Sequence, residues 1–183
     1  MAGVRHGSKV LITGGGAIGL FAAASAKALG ASVVALTEVD AVRLSQAKEA
    51  DFIDFVFNGT TERLSESLRE TVGGLFDCAV ECSGNGRAAS MAVELIKPGA
   101  TLTILAYGPG PQINYFPFIN DEKRIQGAVF FKPEDFQMVI DFMAEGKINI
   151  EKFSEVISME QAQDTFLGLD NGRCHAPKYL IQM

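Results

Sequence analysis

Histidine and cysteine are scarce in this chain, and long apolar runs do not occur. Its 183 residues include two histidines and three cysteines. His6 and His175 stand near opposite ends of the sequence. A catalytic zinc centre draws three or four such ligands together, so these residues argue against a self-contained one. The cysteines, Cys78, Cys82 and Cys174, are too few and odd in number for a disulfide framework. Cys78 and Cys82 are four apart in a strand-like run and therefore share one face of a sheet. They are expected to be buried strand thiols. No apolar run approaches the ~20 residues of a membrane span. Met1 to Gly7 contains no apolar stretch of secretory-leader length, so a cytoplasmic location is expected. Basic residues are outnumbered, 16 Lys and Arg against 22 Asp and Glu, for a net charge of −6. A nucleic-acid surface needs clustered Lys and Arg, so no nucleic-acid partner and no membrane partner is expected.

What is present is an alternation of strand and helix signals over a length that suits one sizeable domain. Lys9–Thr13 is a short apolar run that stops at three glycines. Ala17–Leu29 follows as a helix, with Gly30 as its stop. Ser32–Thr37 reads as a buried parallel strand, and Asp40 is placed to cap a helix over Ala41–Ala50. Phe52–Phe57 reads as a third strand, and a polar helix opening at Thr60 ends near Gly73. A second half repeats the logic. Phe76–Cys82 is a strand, Arg87–Ile96 a helix, Thr101–Ala106 a strand and Arg124–Phe131 a sixth strand. Pro133 opens a helix to about Glu145, with acids in its first turn. Ser158 begins another helix, and Lys178–Gln182 reads as a final strand.

Such alternation predicts an α/β doubly wound parallel sheet of six strands, in the order 3-2-1-4-5-6, with a short C-terminal helix-strand extension. The expected division is a dinucleotide-binding unit over 1–131 and an extension over 132–183. Ligands of such sheets sit at the carboxyl ends of the strands, at the switch point between the first and fourth.

The chemistry-bearing motif is Gly14-Gly15-Gly16-Ala17-Ile18-Gly19. A glycine pattern of this kind is weak alone, but this one lies between an apolar strand and a helix, where its mechanism needs it. Gly14 permits the tight turn. Gly16 lets the backbone approach a pyrophosphate, and Gly19 lets helix and strand pack closely. The helix dipole and first-turn amides then face the phosphates. Glu38 follows 19 residues after Gly19, near the ~20-residue spacing of the acid that accepts from the adenosine ribose diol. Its charge opposes a 2′-phosphate, so NAD is favoured over NADP. Arg43 pulls the other way, since an arginine there also suits a 2′-phosphate. The short-chain dehydrogenase pattern fails, because Ile18 replaces a required glycine and no tyrosine has a lysine four residues later. A GxxxxGK[ST] phosphate loop fails too, since Leu20 and Phe21 follow Gly19.

Together these residues resemble the cofactor-binding domain of the medium-chain dehydrogenase/reductase family, the zinc-type alcohol, sorbitol and threonine dehydrogenases. The likeness runs in order through KVLITGGGAIGLFAAASAKALGASVVAL, FDCAVECSG, LIKPGA, TLTILAYG, RIQGAVFF, ISMEQA and PKYLIQM. It implies an NAD-binding oxidoreductase domain for hydride transfer between an alcohol and a ketone or aldehyde. It implies that Gly16, Ala17 and Ile18 meet the pyrophosphate, and that Glu38 and Arg43 meet the adenosine ribose. Cys82 and Ser83 would lie beside the riboses. Leu105, Ala106 and Tyr107 would border the nicotinamide together with Ala128, Val129 and Phe130. Lys178 would reach the pyrophosphate.

A complete member of that family also has an N-terminal catalytic domain of comparable size, carrying the zinc or polar catalytic residues. The glycine turn here starts at residue 14. The expectation is therefore a cofactor-binding half with no catalytic residue and no zinc site of its own. A small alcohol or carbonyl substrate would be bound only where that domain is supplied. A homodimer through an edge segment at 113–118 is expected as well. Asp51 stands where the family usually has glycine before the third strand. Two other classes fit part of the pattern: a free-standing NAD-binding module with a sensing or structural role, and an S-adenosylmethionine-dependent methyltransferase.

Overall fold

The computed structural model describes residues 2–149 and 151–183; Met1 and Ile150, which the segments 1–131 and 132–183 include, lie outside the described residues. The chain runs β1 (Lys9–Thr13), α1 (Ala17–Ala28), β2 (Val33–Glu38), α2 (Ala41–Lys48), β3 (Phe55–Asn58), α3 (Leu64–Val72), β4 (Phe76–Glu81), α4 (Gly86–Leu95), β5 (Ile96–Ile104), α5 (Tyr115–Asn120) and β6 (Arg124–Gly127). It continues through α6 (Pro133–Ala144), a 3₁₀ turn at Glu151–Phe153, β7 (Ser154–Ser158), α7 (Ala162–Asp170) and β8 (Lys178–Gln182). The first six strands form one sheet in the order β3-β2-β1-β4-β5-β6, with every pair parallel. The predicted architecture and strand order are thus observed. No helix among the described residues is long and apolar enough to cross a membrane.

The strand sequences are apolar on both faces because both faces are covered. In register across the sheet, Leu11 sits between Ala35 and Ala79, and Ala79 is paired in turn with Leu102. All four point to one face, where Leu64, Leu68 and Val72 of α3 and Ala89, Ala92 and Val93 of α4 pack on them. The alternate residues Val10, Ile12, Val34, Leu36, Cys78 and Val80 point to the other face. There they meet Leu20, Ala23 and Ala24 of α1 and Ala47 of α2. The alanines of α1 let that helix lie close to the strands. Cys78 and Cys82 share this second face, as their spacing predicts.

Local signals set most of the helix ends. The Asp40 carboxylate accepts from the backbone N–H of Val42 and Arg43 at 3.0 and 2.9 Å and starts α2. Gly73, in the left-handed conformation, ends α3. Asp51 needs no such conformation, so its turn closes without the family's glycine.

Three expectations are corrected. The segment 113–118 is not an edge strand. Asn114 accepts from the Phe116 N–H at 3.2 Å and starts α5, the crossover that two parallel neighbours require. Its backbone bonds are spent inside the helix, so two copies meeting there would join helices and not strand edges. The sixth strand stops at Gly127 and not at Phe131, because Phe130 takes a left-handed backbone at φ 57° that no extended strand accepts. Ser158 ends a strand, β7, where a helix start was expected. β7 pairs in parallel with β8, Ser154 opposite Lys178.

The stretch after β6 is anchored to the main core by two buried side chains, with the half-buried Phe142 packed against the same cluster. Ile148 and Phe153 are buried in the α1/α2 cluster, and the Phe153 ring stands edge-on to Phe52 with centroids 5.4 Å apart. A further tie runs from Gln46 Nε2 to the His175 carbonyl at 2.7 Å. Phe153→Ala removes a buried aromatic from this junction and should cost about 3 kcal/mol of unfolding free energy. Urea denaturation followed by circular dichroism measures it. A loss below ~1 kcal/mol would show that the C-terminal stretch opens independently of the sheet.

Candidate functional site

The carboxyl edge of the sheet carries one continuous row of backbone bonds. Each strand end is tied to its neighbour by a residue just past it. Gly59 donates to Glu38, Gly14 to Thr37, Cys82 to Thr13, Leu105 to Glu81 and Ala128 to Ile104, all at 2.8–3.0 Å. Four residues named from the sequence, Gly14, Cys82, Leu105 and Ala128, are therefore consecutive steps of one edge. Loops leave this edge from every strand, which makes it the groove of an open parallel sheet.

The glycine turn is built by contacts that no side chain permits. Gly14 has φ 94°, and a Cβ there would lie 2.9 Å from the Ser83 backbone. A Cβ on Gly19 would lie 1.8 Å from the Gly14 carbonyl oxygen. The turn is thus closed on itself and pressed against the β4 end. Gly16 caps α1 with an extended backbone and no side-chain cap, so the first N–H groups of α1 have no capping side chain over them. Ile18, in that first turn, is 58% exposed.

Glu38 is 6% exposed, yet its carboxylate is the best-connected group at the β2 end. Oε2 accepts from the Gly15 N–H at 2.6 Å, and Oε1 accepts from Val39 and Asp40 N–H at 2.6 and 2.9 Å. The acid is held at the lip of the glycine turn. Arg43 comes from α2 toward the same place: its Nη1 lies 4.0 Å from where a Gly16 Cβ would stand. A carboxylate, a guanidinium and a helix N-terminus thus converge on one groove.

On the other side of the turn, Ser83 leads the β4 loop, and Tyr107 leads the β5 loop with its side chain 95% exposed. Ala106 lies beside it at the β5 end. Val129 and Phe130 extend the β6 end, and Phe130 is 90% exposed. Lys178 is not brought to this edge by any bond. It opens β8 on the small sheet, exposed, and no hydrogen bond or ion pair ties it to the turn among the described residues. Two concave volumes of about 460 and 490 Å³ lie elsewhere. One is lined by Ser90, Phe118 and Lys123, the other by Asp77, Gly99 and Arg124 at the amino ends of the strands.

Sequence reasoning passed over Gly84, Gly108 and Glu81. A Cβ on Gly108 would stand 1.9 Å from the Gly84 carbonyl oxygen, and one on Gly84 would stand 2.5 Å from that of Tyr107. The β4 and β5 loops are therefore in backbone contact. The available signal was the recurrence of glycine just after each of those strands. Glu81 gave no such signal, because an acid at a strand end reads as a surface residue.

Comparison with known proteins accords with this geometry. A profile described as zinc-binding dehydrogenase matches residues 17–145. The sorbitol dehydrogenase of Ovis aries is 32% identical over 171 residues, which are 90% of this chain and 48% of its own length. A short chain alcohol dehydrogenase from E. coli CFT073, solved in complex with NADH, superposes with a TM-score of 0.87. It covers all of this chain and 54% of that one at 22% identity, a likeness of fold. A protein of Sinorhizobium meliloti 1021, described as a zinc-binding dehydrogenase and solved with NADP bound, superposes at 0.79 with 29% identity, over 90% of this chain and 49% of that one. This chain spans about half the length of the relatives it matches.

Among the described residues no three of His, Cys, Asp and Glu are grouped to hold a metal. Zinc takes thiolates, and burial acts against them: the Cys82 thiol is pushed up to about 12, first by burial and then by the Glu81 carboxylate. Cys78 is pushed up to about 11 by burial and by Asp77. Both thiols are thus held in the neutral form at pH 8. Treating the folded chain with iodoacetamide at pH 8 should give one adduct by mass spectrometry, at the partly exposed Cys174. Rapid alkylation of Cys82 would contradict the neutral thiol.

Proposed function

This chain belongs to the zinc-binding dehydrogenase family, and we propose that it is the part of such an enzyme that binds and orients NAD(H) for oxidation of a polyol or alcohol. The observation that carries the reading is the bond from the Gly15 N–H to the Glu38 carboxylate. It locks the acid that suits a ribose diol to the turn that suits a pyrophosphate, so the two recognition elements are held at a fixed separation before any ligand arrives. Gly14 and Gly19, where a Cβ would clash, close the turn tightly.

In this reading the first-turn amides at Gly16, Ala17 and Ile18 donate to the pyrophosphate, helped by the α1 dipole. Glu38 accepts from a ribose hydroxyl with the Oε2 lone pair left free by its three backbone donors. Arg43 lies along the adenosine. Cys82 and Ser83 line the crossing between the two halves. Leu105, Ala106 and Tyr107 on one side, and Ala128 and Phe130 on the other, flank the nicotinamide through backbone groups. Lys178 closes on the pyrophosphate from the C-terminal strand. Bound NAD supplies the hydride acceptor. Polarising the alcohol and moving its proton fall to the portion of the relatives' length that this chain does not match. In this reading the residues present bind and orient NAD.

A second reading, NADP, is favoured by Arg43 at the mouth of the turn. Glu38 stands against it, because a 2′-phosphate would be placed beside its carboxylate.

Titration of the 183-residue chain by calorimetry and by NADH fluorescence discriminates these readings. NADH should bind at least tenfold tighter than NADPH. Glu38→Gln should weaken NADH roughly tenfold, the worth of a lost hydrogen bond to a charged group, and should narrow the gap between the two cofactors. Equal or tighter binding of NADPH would overturn the NAD preference. Binding of S-adenosylmethionine in place of either dinucleotide would overturn the dehydrogenase reading.

A further inference from the structure

Glu81 is a buried carboxylate that the cofactor contacts above do not use. It is the last residue of β4, paired with Thr13 on β1 and Ile104 on β5, and it is 2% exposed. One oxygen does almost all the visible work. Oε1 accepts from the N–H of Ser83 at 2.7 Å and of Gly84 at 3.0 Å, from the Thr13 hydroxyl at 3.4 Å, and from the Ser83 hydroxyl. Ser83 Oγ in turn accepts from the Asn85 N–H at 3.1 Å, and Asn85 Oδ1 accepts from Arg87 and Ala88 N–H to start α4. A single carboxylate therefore anchors a bonded path from the floor of the sheet to the next helix.

The loop so anchored is a wedge. Its Ser83 backbone presses on Gly14 on one side. Its Gly84 carbonyl presses on Gly108, and Gly84 itself on the Tyr107 carbonyl, on the other. Moving the loop by a few tenths of an ångström must either open the β5 loop or collide with it. A neutral side chain would satisfy one or two amides, whereas a buried charge is a costly occupant of a core position. What the charge adds is stiffness, since charge-assisted bonds are shorter and stronger than neutral ones.

We propose that Glu81 is a positioning residue for the nicotinamide half of the groove: from beneath, it fixes the 82–85 loop against Tyr107 and Gly108. This rests on the dinucleotide reading given above. It follows from topology, because a dinucleotide across the β1/β4 switch point places its adenosine on the β2 side, at Glu38, and its other nucleotide on the β4/β5 side.

The test separates the two halves of the ligand. AMP occupies only the Glu38 side, whereas NADH spans both. Glu81→Gln keeps the size of the side chain and removes its charge. It should raise the Kd for NADH about tenfold and reduce the fluorescence gain of bound NADH, while the Kd for AMP stays within about twofold. Glu81→Asp keeps the charge on a shorter arm and should recover part of the NADH affinity; it also serves as the reporter if the Gln variant does not fold. Equal losses of AMP and NADH affinity would mean a general structural role and would overturn the proposal. So would NADH binding that is unchanged in both variants. If the unaltered chain binds AMP but no NADH, both the dinucleotide reading and this inference fall; if it binds both, only the inference is at stake.

Discussion

One hydrogen bond, from the Gly15 N–H to the Glu38 carboxylate at 2.6 Å, organises the ligand-facing edge of this molecule. A buried carboxylate must find donors or lose its charge. Glu38 finds them in its own turn, at Val39 and Asp40, and in the glycine turn of the neighbouring strand. The second of these is the consequential one. It ties the end of β2 to the start of α1, so the turn cannot drift relative to the acid. The glycines then follow as a geometric necessity. With Gly15 drawn onto Glu38, Gly14 is driven against Ser83 and Gly19 against Gly14. Any side chain at those positions would separate the pieces that the bond brings together.

The parallel sheet extends this order sideways. Because every strand runs the same way, every strand end arrives at one edge, and the next residue of each neighbour closes the ladder there. The site is thus an edge shared by six strand ends and not a closed cavity. Rigidity along that row comes from backbone bonds, which substitution of side chains leaves in place. Side-chain identity matters where a carboxylate ties loop amides to a strand end beyond the ladder, as at Glu38 and Glu81, or where its absence permits contact, as at Gly84 and Gly108.

The sequence made the sheet legible because strand and helix periods alternate cleanly and glycines mark the helix ends. The strand order followed from a connection rule and not from any one residue. Gly14 to Gly19, Glu38 and the β4 and β5 ends were legible as a site because their spacing reflects the mechanism. The 113–118 stretch was expected to be a sheet edge on its apolar residues and the resemblance alone. The Asn114 cap and the need for a crossover between parallel neighbours make it the start of a helix. β7 was hidden because its short run Ser154–Ser158 is half polar and gains its partner from residues 24 positions away, at Lys178. Glu81 was illegible for a different reason: its role lies in which amides the fold brings to it, and no spacing announces that.

A chain of net charge −6 that places two carboxylates at a site suited to a pyrophosphate poses an electrostatic question. Bare acids near a dianion would repel it. Both glutamates, however, are surrounded by backbone N–H groups, whose dipoles point their positive ends at the carboxylates. Their charge is compensated locally before it reaches the groove. The α1 terminus then acts on the phosphates with its own dipole, and Arg43 supplies the full positive charge close to the turn. The acidic side chains set geometry and choose between ribose and phosphate, and the backbone does the binding of the anion. Such a division lets the groove hold a charged ligand without a basic surface, in a chain where 22 Asp and Glu outnumber 16 Lys and Arg.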